Sequence, residues 1–253
     1  MDLAERISTL RRVNGLSARQ LAAMVDVAPT TVTRIEAGVV SPSFDLAQEI
    51  LAVLGEPIGF TGLVDIGAIA AARLALDPQL DIQITPGVVQ WRRRWERIGL
   101  VDGDGHVVAG KEPDLLFRAG RVARLTRRPS AVDFAPGPSA YQVAEALDGA
   151  GIGYAVTGDT GANLYRSSAG EVWPVHYVED IERAAQAAEL VRKEPGSFGL
   201  RVTLIPFDGV SELGRVVIRD VVVAARDQVV IDAYGGIDRM PERGDILLGR
   251  RVA

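Results

Sequence analysis

The chain has 253 residues, 47% of them hydrophobic and 24% charged, with a formal net charge of -5; that length and balance fit two or three folded domains and exclude a disordered chain. It has no cysteine and only two histidines, His106 and His176, which excludes disulfides, thiol catalysis and thiolate metal sites and leaves too few ligands for a structural zinc. The opening MDLAERISTL has no basic and apolar signal region, and no run of about 18 apolar residues occurs, so the expected location is the cytoplasm, with no membrane partner and no cofactor.

In chain order, Leu3, Ile7 and Leu10 recur at spacings of four and three among Arg6, Arg11 and Arg12, which predicts a first helix over 3–14. Ser17 is placed to cap a second, with Leu21, Ala22 and Val25 on its apolar face. Asp26 and Val27 leave room for a short turn only, and Pro29 falls at the start of a third helix, where a missing amide proton does no harm. In that third helix Val32 and Ile35 point inward, Thr30, Thr31, Thr33 and Arg34 form a short polar face, and Gly38 is the stop. Ser41-Pro42-Ser43 then supplies a turn and a cap for a closing helix carrying Leu46, Ile50, Leu51 and Leu54, which Gly55 ends. Residues 1–55 therefore read as a small all-helical domain built around two short helices and a tight turn.

The string LRRVNGLSARQLAAMVDVAPTTVTRIEAGVVSPSFDLAQEILAVLG resembles the XRE family of helix-turn-helix repressors. The resemblance implies that the second helix of the pair lies in the major groove of double-stranded DNA, with Thr30, Thr31, Thr33 and Arg34 facing base edges or phosphates. Arg34 is the strongest candidate for a base contact, because an arginine that reaches guanine O6 and N7 together gives roughly 1–3 kcal/mol of discrimination. Family members often carry a DNA-touching glutamine near the start of the first of these helices; here Ala18 stands there, and the neighbours Arg19 and Gln20 become candidate contacts. The expected operator is an inverted repeat read by a homodimer, with half-sites roughly 34–36 Å apart, the alternative being a monomer that engages one half-site with two modules.

Charge is unevenly spread. Residues 1–55 hold five basic and six acidic side chains, residues 56–84 one and four, residues 85–128 ten and five, and residues 129–253 twelve and eighteen. The basic middle, residues 62–130, starts with an alanine-rich helical stretch, Asp65 to Leu76. A second helical stretch, Gly87 to Ile98, sets Val88, Trp91, Trp95 and Ile98 on one stripe and Arg92, Arg93, Arg94 and Arg97 on the remaining surface. Two short apolar strands around Asp102-Gly103-Asp104-Gly105 follow, a hairpin signal that makes the segment a winged-helix-like module. Arg118, Arg121, Arg124, Arg127 and Arg128 continue the basic character at a spacing that suits one helical ridge. Arg92, Arg93, Arg94, Arg97, Arg121 and Arg124 are candidate phosphate contacts; the alternative is that these arginines are solvated or paired with acids. Pro129, Pro136, Gly137 and Pro138 place a boundary near 130–138.

The remainder, 138–253, alternates helix and strand. Helices are expected at 139–147, 160–165, 181–192, 227–233 and 241–248, and strands at 154–156, 172–178, 200–207 and 216–223, which makes the whole chain a multidomain α + α/β protein. The strings YAVTGDTGANLY, WPVHYVED and VVVAARDQVVIDAYGGIDRMPERGDILL resemble the AbiEi-type antitoxins of type IV toxin-antitoxin systems, from about Gly153 onward. That resemblance implies a nucleotidyltransferase-like fold. Active members of the larger fold place two magnesium-binding carboxylates at i and i+2 on one strand face, whereas Val172 to Val178 has none and Glu179 and Asp180 are adjacent, so a non-catalytic domain is expected. His176 reads as a structural histidine, Asp159 as a helix cap, and Asp227 and Asp232 as a cap and a solvent-facing carboxylate. The leading function is a DNA-binding transcriptional regulator, a repressor or an autoregulating antitoxin with a cognate toxin. The alternatives are a nucleotidyltransferase tethered to DNA and a regulator whose last domain binds a small-molecule effector.

Overall fold

The computed structural model describes residues 2–56, 65–135, 137–166, 173–194 and 201–250. Two compact units emerge, one from residues 1–80 and 84–127, the other from 81–83 and 128–253.

The first unit is helical: α1 (Leu3–Val13), α2 (Ala18–Met24), α3 (Pro29–Glu36), α4 (Phe44–Val53), α5 (Gly67–Leu76), α6 (Pro86–Arg97) and α7 (Glu112–Val122), then a 3-10 turn at Leu125–Arg127. Side chains cap the starts where the sequence offers an oxygen: Asp2, Ser17, Ser43 and Thr85 accept from amides in the first turns of α1, α2, α4 and α6. Ile7, Leu21, Val32, Ile35, Ile50 and Leu54 are buried around the shared core of α1–α4, while Leu3, expected inside, is 39% exposed at the first position of α1. Alanine-rich α5 is buried almost all round, its small side chains letting α6 and α7 come close. Residues 2–56 and 65–127 thus share one body. Gly55 marks the joint: its φ of +77° ends α4, and a Cβ there would stand 2.2 Å from the Arg121 carbonyl oxygen.

Two details of the middle differ from expectation. The hairpin around Gly103 is reduced to a single antiparallel bridge, Val101 with Val107, because Asp102 turns its carboxylate inward to accept from the Asp104 and His106 amides. The arginine ridge is not continuous either: α7 ends at Val122, and Arg124 and Arg127 follow in the turn beyond it.

The second unit is a six-stranded mixed sheet with helices on both faces. Its strands are β1 (Val132–Phe134), β2 (Tyr154–Thr157), β3 (Pro174–Val178), β4 (Val202–Pro206), β5 (Val216–Ile218) and β6 (Val221–Val223), in the order β1-β4-β3-β2-β6-β5. The β4/β3 and β2/β6 pairs are parallel and the others antiparallel. Helices α8 (Ala140–Gly149), α9 (Gly158–Tyr165), α10 (Ile181–Ala187), α11 (Arg226–Gly235) and α12 (Met240–Leu247) complete it. Alternation sorts the faces: Tyr154, Val156 and His176 look toward α8, and Thr157 and Tyr177 toward α11. Strand β1 falls in the stretch whose prolines signal a break. The strand expected over 216–223 is a hairpin, since Arg219 and Asp220 both take positive φ, at 52° and 63°. The expected helix 181–192 stops at Ala187, with Glu189 at φ 51°. Residues 172 and 200, where two strands were expected to start, lie outside the described residues.

A polar cluster is sealed between the sheet and α11. Asp232 is fully buried, and so is not the solvent-facing carboxylate expected; it accepts from Arg128 at 2.5 Å, Thr157 at 2.6 Å, Tyr177 at 3.0 Å and Gln228 at 3.1 Å. On the opposite face His176 is also fully buried. Its Nε2 donates to the Ala140 carbonyl at 3.1 Å and its Nδ1 has no hydrogen-bond partner. Burial pushes the imidazole down to about 4 from the usual 6.5, against a small opposing pull from that carbonyl. The unfolded chain takes up this proton as pH falls through 6.5 and the folded one does not until about 4, so the contribution to stability is whole above 6.5 and lost on the way to 4. The loss amounts to about 3 kcal/mol. Urea melts at pH 7.5 and 4 should show that fall in wild type and a fall smaller by about that amount in His176→Leu; equal falls in both proteins would refute it.

Candidate nucleic-acid interface

The helix pair at residues 18–36 is fixed by its ends before its core. Ser17 and Gln20 form a reciprocal cap, Gln20 Nα donating to the Ser17 hydroxyl and Ser17 Nα to Gln20 Oε1. Helix α2 closes at Asp26, which takes φ +57° so that the Val27 amide reaches back to the Ala22 carbonyl at 3.0 Å. That one left-handed residue is what turns the chain, and Pro29 opens α3 two residues after Val27. The far end of α3 is held by Gly38 at φ +69°, with Gly38 and Val39 amides returning to the Ile35 and Arg34 carbonyls.

Helix α3 is anchored at its last residue. Arg11 of α1 grips Glu36 with two parallel hydrogen bonds of 2.6 and 2.9 Å and also donates to the Leu16 carbonyl, and this pairing holds the Arg11 guanidinium above its usual range. Val32 and Ile35 are buried, so the opposite face of α3 is turned outward. Thr30, Thr33 and Arg34 are exposed and Thr31 is half-buried. The Thr33 hydroxyl donates to the Thr30 carbonyl; the Arg34 guanidinium has no partner among the described residues. Hydroxyls beside an unoccupied guanidinium on a two-turn helix offer one forked donor to a base edge and weaker donors to phosphates. In α2, Arg19 is exposed and also without a partner among the described residues, whereas Gln20 is half-buried and its side-chain oxygen serves the cap.

The six arginines of the middle segment do not act alike. Arg94 is not on the remaining surface of α6: it is buried, 3.0 Å from Glu49 of α4 and over the Trp91 ring. Arg92 donates to the Asp104 carbonyl, and Arg124 pairs with Glu56 at 2.7 Å. Arg97 is exposed and makes a 3.4 Å pair with the still more exposed Asp26, a contact worth little in water, and donates to the Ala23 carbonyl at 3.3 Å. Arg121 is half-buried against Gly55, with burial holding its guanidinium below the usual range. Arg93 is exposed, has no partner among the described residues, and lines a groove of about 690 Å³ between the end of α2 and α6, with Met24, Asp26, Glu49, Val89 and Gln90. The burial of Arg94 had a sequence signal, its position three residues after Trp91; the acid that receives it, 45 residues away, did not.

Comparison with known proteins agrees with this geometry. A scan against protein families matches residues 7–60 to the helix-turn-helix family. The N-terminal domain is an XRE-type helix-turn-helix. It binds double-stranded DNA, and the chain that carries it is a DNA-binding transcription regulator. No curated protein and no solved structure matches the chain closely enough to indicate a relative. Among the described residues no helix is long and apolar enough to cross a membrane. Outside unit one, β3 carries no carboxylate, and the buried Asp159 at the start of α9 is paired with Arg243 at 3.0 Å.

Replacing Arg34 by Ala should weaken operator binding by about 1–3 kcal/mol and relax the preference at one base pair, with an unchanged circular dichroism spectrum. Fluorescence anisotropy on a panel of single-base operator variants is the check. Unchanged affinity and unchanged preference would remove Arg34 from the reading face.

Proposed function

We propose that this protein is a transcriptional repressor that reads an operator with α3 and adds backbone contacts from α6. The observation that carries this is the outward face of α3, where Thr30, Thr33 and the unpartnered Arg34 lie together while the inward face fills the core. Arg93 and Arg97 extend the reading surface: Arg93 has no partner among the described residues, and Arg97 gives up only an exposed contact with Asp26 and a 3.3 Å hydrogen bond to the Ala23 carbonyl to reach a phosphate. Arg19 on α2 supplies a third backbone contact. Arg92, Arg94 and Arg124 hold the fold instead, since carbonyls or carboxylates already receive them. A homodimer on an inverted repeat suits the short reading helix, because one copy covers too few base pairs for specificity.

The second unit is best read as non-catalytic. Two buried carboxylates near β2 and β3 are consumed inside the fold: Asp159 by Arg243, and Asp232 by Arg128 and three neutral donors. Neither could turn to a metal without leaving an arginine buried alone. This supports the resemblance to AbiEi-type antitoxins of nucleotidyltransferase-like fold, and with it an autoregulating antitoxin whose second unit engages a cognate toxin. A regulator that binds an effector in that unit is the other use of the same scaffold.

Selection from random duplexes, followed by anisotropy across salt concentrations, tests the repressor reading. A single inverted repeat should be enriched, and Arg93→Ala should flatten the logarithmic salt dependence by about one unit without changing base preference. Failure to enrich any sequence would overturn it.

A further inference from the structure

Arginines crowd around one acid on the first unit. Glu56, which follows Gly55 at the end of α4, receives Arg6 of α1 at 2.8 Å, Arg124 at 2.7 Å and Arg127 at 3.3 Å. Arg121, one turn before Arg124, meets no hydrogen-bond or ion-pair partner among the described residues, and its Nε is shielded from water. The charges that act on it are Arg124, which opposes its own, and the already shared Glu56. Arg118, the next arginine back along α7, is occupied by the Asn14 and Gly15 carbonyls and takes no part. The adjoining residues 57–64, PIGFTGLV, contain no acid. Four guanidiniums therefore face one carboxylate, an excess of three positive charges in a partly dehydrated place.

Such an excess is costly to a fold unless an anion relieves it. A lock between α1 and α7 needs one arginine per carboxylate, so the surplus goes beyond what holds the helices together. The cluster is also set away from the reading face. Arg6 and Arg11 lie about 140° apart around α1 at 100° per residue, and it is Arg11 that meets α3, through Glu36. The side chains stay within reach of solvent, Arg6 at 45% and Arg127 at 35% exposure.

We propose that Arg6, Arg121, Arg124 and Arg127 form a binding site for a small phosphorylated ligand bearing a diphosphate, with Glu56 as the resident anion that pre-orients the guanidiniums. A diphosphate ester carries about three negative charges near neutral pH, which matches the excess, and its paired oxygens suit forked donors. Because the site joins α1 and the end of α4 to α7, its occupant would stiffen the body that presents α3. The proposal does not depend on what α3 reads.

Calorimetry of the full chain with pyrophosphate, against chloride at equal ionic strength, tests it. One equivalent should bind and raise the melting temperature, with affinity reduced about tenfold in Arg121→Gln and in Arg6→Gln, the second variant serving if the first does not fold. No binding above the chloride control, or equal binding by the folded variants, would overturn the site. A flatter salt dependence of DNA binding in Arg121→Gln would assign the cluster to the DNA backbone and overturn the small-ligand proposal.

Discussion

The burial of Arg94 is the constraint on which the first unit depends. Its guanidinium lies 4.8 Å from the centre of the Trp91 ring and 3.0 Å from Glu49, and Trp91 in turn donates to Asp65 at 2.7 Å. This chain of contacts ties α4 to α6 and to the start of α5, so the middle segment is part of the helix-turn-helix body and not a tethered neighbour. Breaking a fully buried ion pair costs about 3–5 kcal/mol, and less here because Glu49 keeps 39% of its side chain in water. That energetic weight helps to hold α6 against α4. On the proposed reading, that packing lets Arg93 and Arg97 act together with a helix of eight residues that bears one arginine.

The two units use buried charge for different ends. In the first, Arg11 with Glu36 and Arg94 with Glu49 fix the directions of helices whose outer faces are left free to bind. In the second, Arg128 and Asp232 are both fully enclosed, and Thr157, Tyr177 and Gln228 complete the carboxylate's hydrogen bonds. That cluster joins β2, β3 and α11 across the centre of the sheet.

What could be read from the sequence depended on how local the determinant was. Ser17, Pro29, Gly38, Ser43 and Gly55 act on their own few residues, and each ends or begins a helix as its type dictates. The outward face of α3 followed from the same spacing that buried Val32 and Ile35. Long-range partners were not legible. The spacing of Arg94 from Trp91 hints at its burial but not at Glu49, and Asp232 looks like any helical acid until Arg128, 104 residues earlier, closes on it. Strand β1 has three residues among prolines, and only pairing with β4 and with residues 191–193 makes it a strand. The hairpin signal at Asp102 to Gly105 was a turn signal alone, with too few flanking residues paired to extend it.

The central claim is that α3 and α6 present one rigid face to DNA. Hydroxyl-radical footprinting of the full chain on its selected site, paired with guanine-methylation interference, measures this directly. The account predicts one interfering guanine in the major groove within each half-site and a protected stretch of backbone to one side of it, lost in Arg93→Ala while the guanine signal persists. Backbone cleavage that is the same in wild type and Arg93→Ala, or methylation without effect at every guanine, would contradict it.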